Sequence, residues 1–176
     1  MSISGLGYTA AVVLAAVFAV AGAVKLNDLD GTARAFEDLG VPRPRAMAAF
    51  VPVAELSVVA LLLIVPPAGG IGALVTLAFF TTFLVGRLRA GVKAPCACFG
   101  SARRDPLSGI EIARNVGLGL LGVAALATDR PVRPSPADVV VVVGAAVLAA
   151  ALLNLLRRRA RLRAAATPGR SGGGRG

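Results

Sequence analysis

Apolar residues in this chain gather into five long blocks, with most of the charge lying between them or at their ends. The blocks cover residues 7–24, 48–65, 69–86, 110–127 and 139–156. Each approaches or meets the roughly 17–25 residues that a helix needs to cross a hydrocarbon core. The first block ends at Lys25, the second at Pro66-Pro67 and the third at Arg87. The last two open on helix starts. Ser108-Gly109-Ile110-Glu111 fits the capping-box spacing, and Ser135-Pro136-Ala137-Asp138 is a variant with proline at the first helical position. Between the first two blocks, Thr32 to Leu39 predicts a short interfacial helix, stopped by Gly40, Pro42 and Pro44. The pattern predicts an all-α membrane protein: a polytopic bundle of about five transmembrane helices over residues 1–156. An Arg/Gly-rich tail follows over residues 157–176. Its first turns continue the fifth helix, and its glycine-rich end is expected to be disordered.

Composition agrees with this reading. Apolar residues make up 56% of the 176 residues and charged residues only 16%, against roughly 25% in soluble domains. Ala19-Val20-Ala21 has the small residues of a signal-peptide cleavage site, but residues 1–6 hold no basic residue, so the first block is expected to be a span. The net charge of +10 does not indicate a nucleic-acid partner. The basic residues sit at the ends of apolar blocks, and with one Tyr and no Trp there is no basic-aromatic surface for stacking bases. The expected partner is the bilayer, with anionic lipid at the basic ends.

The basic residues also set an orientation. Five spans put the termini on opposite faces. One face receives Arg130 and Arg133. The other receives sixteen of the nineteen Lys and Arg residues: Lys25, Arg34, Arg43 and Arg45, then Arg87, Arg89, Lys93, Arg103 and Arg104, then the seven arginines of the tail. The positive-inside rule makes the basic face cytoplasmic, with the N-terminus outside and the C-terminus in the cytoplasm. The expected location is a cell's inner membrane.

Candidate chemistry is confined to few residues. The chain has no histidine, which closes Ser-His-Asp and Cys-His catalysis and His-ligated metal sites. Its only two cysteines are Cys96 and Cys98, in the polar loop between the third and fourth blocks. Two thiols one residue apart can cycle between dithiol and a strained, labile disulfide. Lys93, Arg103 and Arg104 favour the thiolate. A tetrahedral metal site would lack ligands within one chain, and only a site shared between two copies could supply four, so no metal site is assigned. The loop lies on the basic face, where the cytosol keeps thiols reduced and disulfides are usually transient and catalytic. Two thiols on one face cannot by themselves carry electrons across a membrane.

Ionisable groups inside the blocks are the second signal. Glu55 lies roughly 10 Å into the second block and Arg114 roughly 6 Å into the fourth, both counted from the basic face. Lys25 ends the first block on that face, and Asn115 adds an amide beside Arg114. Charges at such depths call for pairing or a wet cavity, so Glu55 is expected to pair with Arg114 or Lys25. The pairing serves bundle packing, the positioning of the thiol loop, or a proton relay during exchange. Small residues in the first block (Ala15, Ala19, Gly22) and the fourth (Gly117, Gly119, Gly122) favour close helix packing.

Several of these residues resemble the MauE family of methylamine-utilisation membrane proteins, relatives of the DoxX-like group. They are Lys25 closing the first block, Phe36…Gly40-Val41-Pro42, Pro52…Glu55, the CxC motif Cys96-x-Cys98-Phe99-Gly100, and Arg114-Asn115 opening the fourth block. The resemblance covers roughly residues 10–127. It implies a four-helix core, with the fifth span outside it, and a role in thiol–disulfide exchange. The implied partner is a thioredoxin-like protein in the maturation of exported proteins such as the disulfide-rich small subunit of methylamine dehydrogenase. The core also resembles DsbB-like and vitamin-K-epoxide-reductase-like oxidases. Those use a quinone and further cysteines, and this chain has no second cysteine pair. A quinone stays open as a cofactor, and a homo-oligomer as an assembly. Two other functions stay open: a small proton-coupled transporter using Glu55, and a non-catalytic membrane assembly factor.

Overall fold

The structure, a computed structural model, describes residues 3–91, 109–128 and 134–166. These form six helices: α1 (Ile3–Leu26), α2 (Leu29–Asp38), α3 (Pro44–Ile64), α4 (Pro66–Arg89), α5 (Gly109–Leu126) and α6 (Pro136–Ala166). No strand occurs among the described residues. All but α2 are long and apolar enough to cross a membrane. Their outward positions are apolar as well: Phe50, Ile71, Phe79, Ile110, Leu120 and Val140 are each more than half exposed. A contiguous apolar exterior of this extent would drive aggregation in water, and it is the surface that lipid requires. The chain is a multi-pass, all-α membrane protein.

The most enclosed helix is α1, where Ala11, Leu14 and Ala15 are fully buried. It packs against α3 and α5, and α4 closes the ring by packing against the same two helices. This is a four-helix core. Helix α6 stands outside it and packs on α1 alone, apart from minor contacts. Polar pairs fasten α6 at both ends. Near its start the Tyr8 hydroxyl donates to Asp138 Oδ2 at 2.6 Å. Farther along, the Asn27 and Asn154 amides donate to each other at 3.0 and 3.2 Å. The two helices therefore run parallel, as the three intervening crossings demand.

Local sequence explains the boundaries. The Asp138 amide donates to Ser135 Oγ at 3.2 Å and the Ser135 amide to Asp138 Oδ2 at 2.9 Å, a reciprocal cap at the start of α6. The cap expected at Ser108 lies outside the described residues. Helix α3 begins four residues before the apolar block does, because Pro44 takes the first helical position after Arg43 turns the chain at φ 51°. Helix α6 runs past its apolar block to Ala166, carrying much of the arginine-rich segment as helix. The end of the tail, where disorder is expected, lies outside the described residues.

Helix α2 covers the basic end of the bundle. Its cap is Asp28, whose Oδ1 accepts from the Gly31 amide at 2.9 Å, so the helix starts earlier than Thr32. Its buried face, Thr32, Ala35 and Phe36, turns toward α3, and Ala35 and Phe36 join Leu39 and Ala48 in a small apolar cluster. The helix ends as its glycine predicts. Gly40 adopts φ 72°, its amide donates to Glu37 O, and the Val41 amide reaches back to Phe36 O, both at 2.8 Å. Val41 then packs in the same cluster as Phe36, completing a Schellman turn.

Helices α3 and α4 meet across one residue, Val65, which ends the first and caps the second. Pro66 and Pro67 open α4 rather than only closing α3, since their missing N–H groups are not needed in the first turn. The hairpin is so tight that a Cβ on Gly69 would overlap the backbone nitrogen of Leu62. Gly69→Ala is therefore expected to cost about 1–3 kcal/mol, because backbone cannot give way as a side chain would. Denaturant titration of the purified variant checks this. Gly117→Ala is the control, since a Cβ there meets nothing within 4 Å. Among the small residues expected at helix crossings, Gly22 lies against Leu56 and Gly122 against Leu74, whereas Gly117 faces open space.

Candidate functional site

The polar residues buried inside the bundle converge on its basic end. Lys25 lies in the last turn of α1, where a cation is favoured by the helix dipole. Glu55 lies about 16 Å along α3 from Pro44 at 1.5 Å per residue. Lys25 Nζ donates to Glu55 Oε1 at 2.6 Å, with both side chains almost completely buried. The partner of Glu55 is thus Lys25. Pro52, one turn before Glu55, is buried inside α3 and removes one backbone hydrogen bond there.

Helix α5 brings the other two residues. Asn115 is buried, and its Nδ2 donates to Thr81 Oγ1 of α4 at 3.2 Å. This bond ties together the two helices that flank the cysteine loop. Arg114, half-buried beside it, lines the same cavity as Lys25, Glu55 and Asn115. The cavity has a volume of about 170 Å³ and is walled by α1, α3, α4 and α5, with α2 and its following turn closing one side. All four supporting residues singled out in the sequence therefore share one chamber. Cys96 and Cys98 lie outside the described residues. The loop that holds them leaves α4 after Arg89 and enters α5 at Gly109, at the same end of the bundle.

Other participants are not evident from the sequence. Thr81 is an ordinary polar residue in an apolar run, and only its partner Asn115 marks it. Arg87, in the last turn of α4, reaches the turn after α2, so that a Cβ on Gly40 would meet its guanidinium at 2.8 Å. Phe36, Phe79, Phe80 and Phe83 line the cavity although phenylalanine in an apolar block more often faces lipid or core.

Architecture and site define a polytopic helical membrane protein, with a buried ion pair and a side chamber at its basic end. Residues 3–128 match the family described as Methylamine utilisation protein MauE, and the chain belongs to that family. A relative, Methylamine utilization protein MauE of Paracoccus denitrificans, is 31% identical over 124 residues, which cover 67% of this chain and 66% of that protein. No solved structure matches the chain. The family match takes in α1 to α5 and stops before α6, so it coincides with the four-helix core and α2.

Proposed function

We propose that this chain is an inner-membrane component of methylamine utilisation that exchanges thiols and disulfides with a thioredoxin-like partner during maturation of exported proteins. Cys96 and Cys98 are the exchanging pair. In one direction of the cycle, a thiolate of the pair attacks the partner's disulfide and forms a mixed disulfide. The second thiolate then displaces the partner's sulfur. The Cys96–Cys98 bond forms, the partner's S–S bond breaks, and two electrons and two protons pass to the partner. The reverse direction balances in the same way.

One observation carries the reading. The stems of the cysteine loop, α4 and α5, are tied by the Asn115–Thr81 bond, at the end of the bundle where Lys25 and Glu55 meet. Lys25, Glu55, Arg114 and Asn115 serve as positioning residues that hold the two stems in register beneath the loop. The CxC spacing and the family supply the thiol chemistry, and the basic residues of the loop favour the thiolate. The charge asymmetry supports an orientation with the N-terminus outside and the loop and C-terminus in the cytoplasm. A quinone or a second protein then has to complete electron transfer across the membrane. The fixed 2.6 Å contact of Glu55 with Lys25 suits a positioning role better than a proton-coupled transport site.

Alkylation trapping of membranes tests the proposal. Wild-type protein is expected to give a mixed disulfide with a thioredoxin-like protein, and the Cys96→Ser, Cys98→Ser double variant to give none. Exported disulfide-containing proteins are expected to lose correct pairing in the double variant. Unchanged pairing in that strain would sink the reading.

A further inference from the structure

The chamber described above has features that packing does not explain. Five of the chain's seven phenylalanines line it: Phe18, Phe36, Phe79, Phe80 and Phe83. They come from α1, α2 and α4, so no local repeat gathers them. Phe79 and Phe80 stand edge-on at 5.9 Å, with their rings at 77°. Phe79 is also 69% exposed, so the chamber reaches the lipid-facing surface. Its volume of about 170 Å³ is the size of one aromatic ring with a few added atoms. For scale, an apolar cavity of about 150 Å³ in another protein stays dry and binds benzene.

Four polar side chains, Lys25, Glu55, Arg114 and Asn115, break this apolar wall, and one of them carries an unpartnered acceptor. Glu55 Oε1 is held by Lys25, but its second oxygen, Oε2, is buried and has no hydrogen-bond partner among the described residues. A carboxylate oxygen without a donor inside a membrane bundle is costly, and the side chain that carries it lines the chamber. Asn115, also on the wall, gives one of its two Nδ2 hydrogens to Thr81 Oγ1. The wall thus offers an acceptor to whatever enters.

We infer that the chamber is an intramembrane binding site for a lipid-soluble phenol: an aromatic ring seated among the phenylalanines, its hydroxyl donating to Glu55 Oε2. An apolar substituent leaves past Phe79 into the lipid. Hydroquinones are one kind of molecule with this chemistry. The site does not depend on the cysteines, so it stands or falls apart from thiol exchange.

Matched probes test it on the full chain in nanodiscs, with empty nanodiscs subtracted. The pair is 4-hexylphenol and its methyl ether, which share the ring and tail and differ in the hydroxyl proton. Ligand-observed NMR is expected to show saturable binding of the phenol, and at least about tenfold weaker binding of the ether, the loss that follows from a hydrogen bond to a charged acceptor. Val17→Phe, which fills the chamber from α1, is expected to abolish phenol binding. The Cys96→Ser, Cys98→Ser variant is expected to bind as wild type. Equal binding of phenol and ether, or no saturable binding of either, overturns the assignment. The probe pair discriminates between these outcomes even if the filled variant does not fold.

Discussion

Replacing Lys25 by methionine, with Glu55 left in place, is expected to destabilise the bundle by about 3–5 kcal/mol. The wild-type carboxylate has one partner among the described residues, the Lys25 ammonium at 2.6 Å, and its other oxygen has none. Removing the ammonium leaves a buried carboxylate uncompensated between α1 and α3, in a region where water cannot replace the lost donor. The double variant Lys25→Met, Glu55→Leu removes both charges and keeps comparable side-chain volume. It is expected to recover most or all of the loss, because a buried pair often contributes little beyond what apolar packing would. Detergent-titrated unfolding followed by circular dichroism measures these two variants together with Glu55→Leu alone, and the cycle isolates the pairwise coupling. A Lys25→Met protein as stable as wild type would show that the contact does not hold the bundle. A double variant that is stable but cannot form the mixed disulfide would separate the pair's positioning role from its packing role.

Much of this arrangement can be read from the sequence, for reasons visible at particular residues. Five spans are legible because an apolar run of membrane-crossing length has few alternatives. Their ends are less so. Pro44 and Pro66 both look like breakers in a sequence, yet each starts a helix, because a proline at the first position costs no hydrogen bond. Asp28 caps α2 ahead of the apparent start at Thr32, since an acidic cap and a charged loop look alike without the backbone.

The candidate site divides in the same way. A charge such as Glu55 within an apolar run announces that it needs a partner. Counting residues gives depth but not the angle around each helix axis. Lys25 and Arg114 are therefore equal candidates in the sequence, and it is packing that turns Lys25 toward α3. The phenylalanine chamber is hidden for a related reason. Phe79 and Phe80 are neighbours in the chain, and on a helix surrounded by apolar residues nothing in the pattern separates lipid, core and cavity.

A membrane-impermeant maleimide is expected to label Cys96 and Cys98 from the cytoplasmic face and not from the outside. The reason is electrostatic and cumulative. Sixteen of the nineteen basic residues fall on the face that carries the cysteine loop, and inverting the protein would move that whole set across the bilayer. The mixed sequence of α6 sharpens the test. Asp138 is the acidic residue of its first turn, at the end where Tyr8 also lies, while the arginine run lies at the far end. A single cysteine placed at the exposed Ala137, in the Cys96→Ser, Cys98→Ser background, is expected to react only from outside. Prior mild reduction keeps an oxidised Cys96–Cys98 pair from escaping the reagent. Cytoplasmic labelling means that an exported protein cannot meet these thiols directly, so the exchange must draw on the cytoplasmic thiol pool through the partner. Labelling from outside instead would overturn the orientation, leave five spans intact, and put the same two thiols in direct reach of exported substrates.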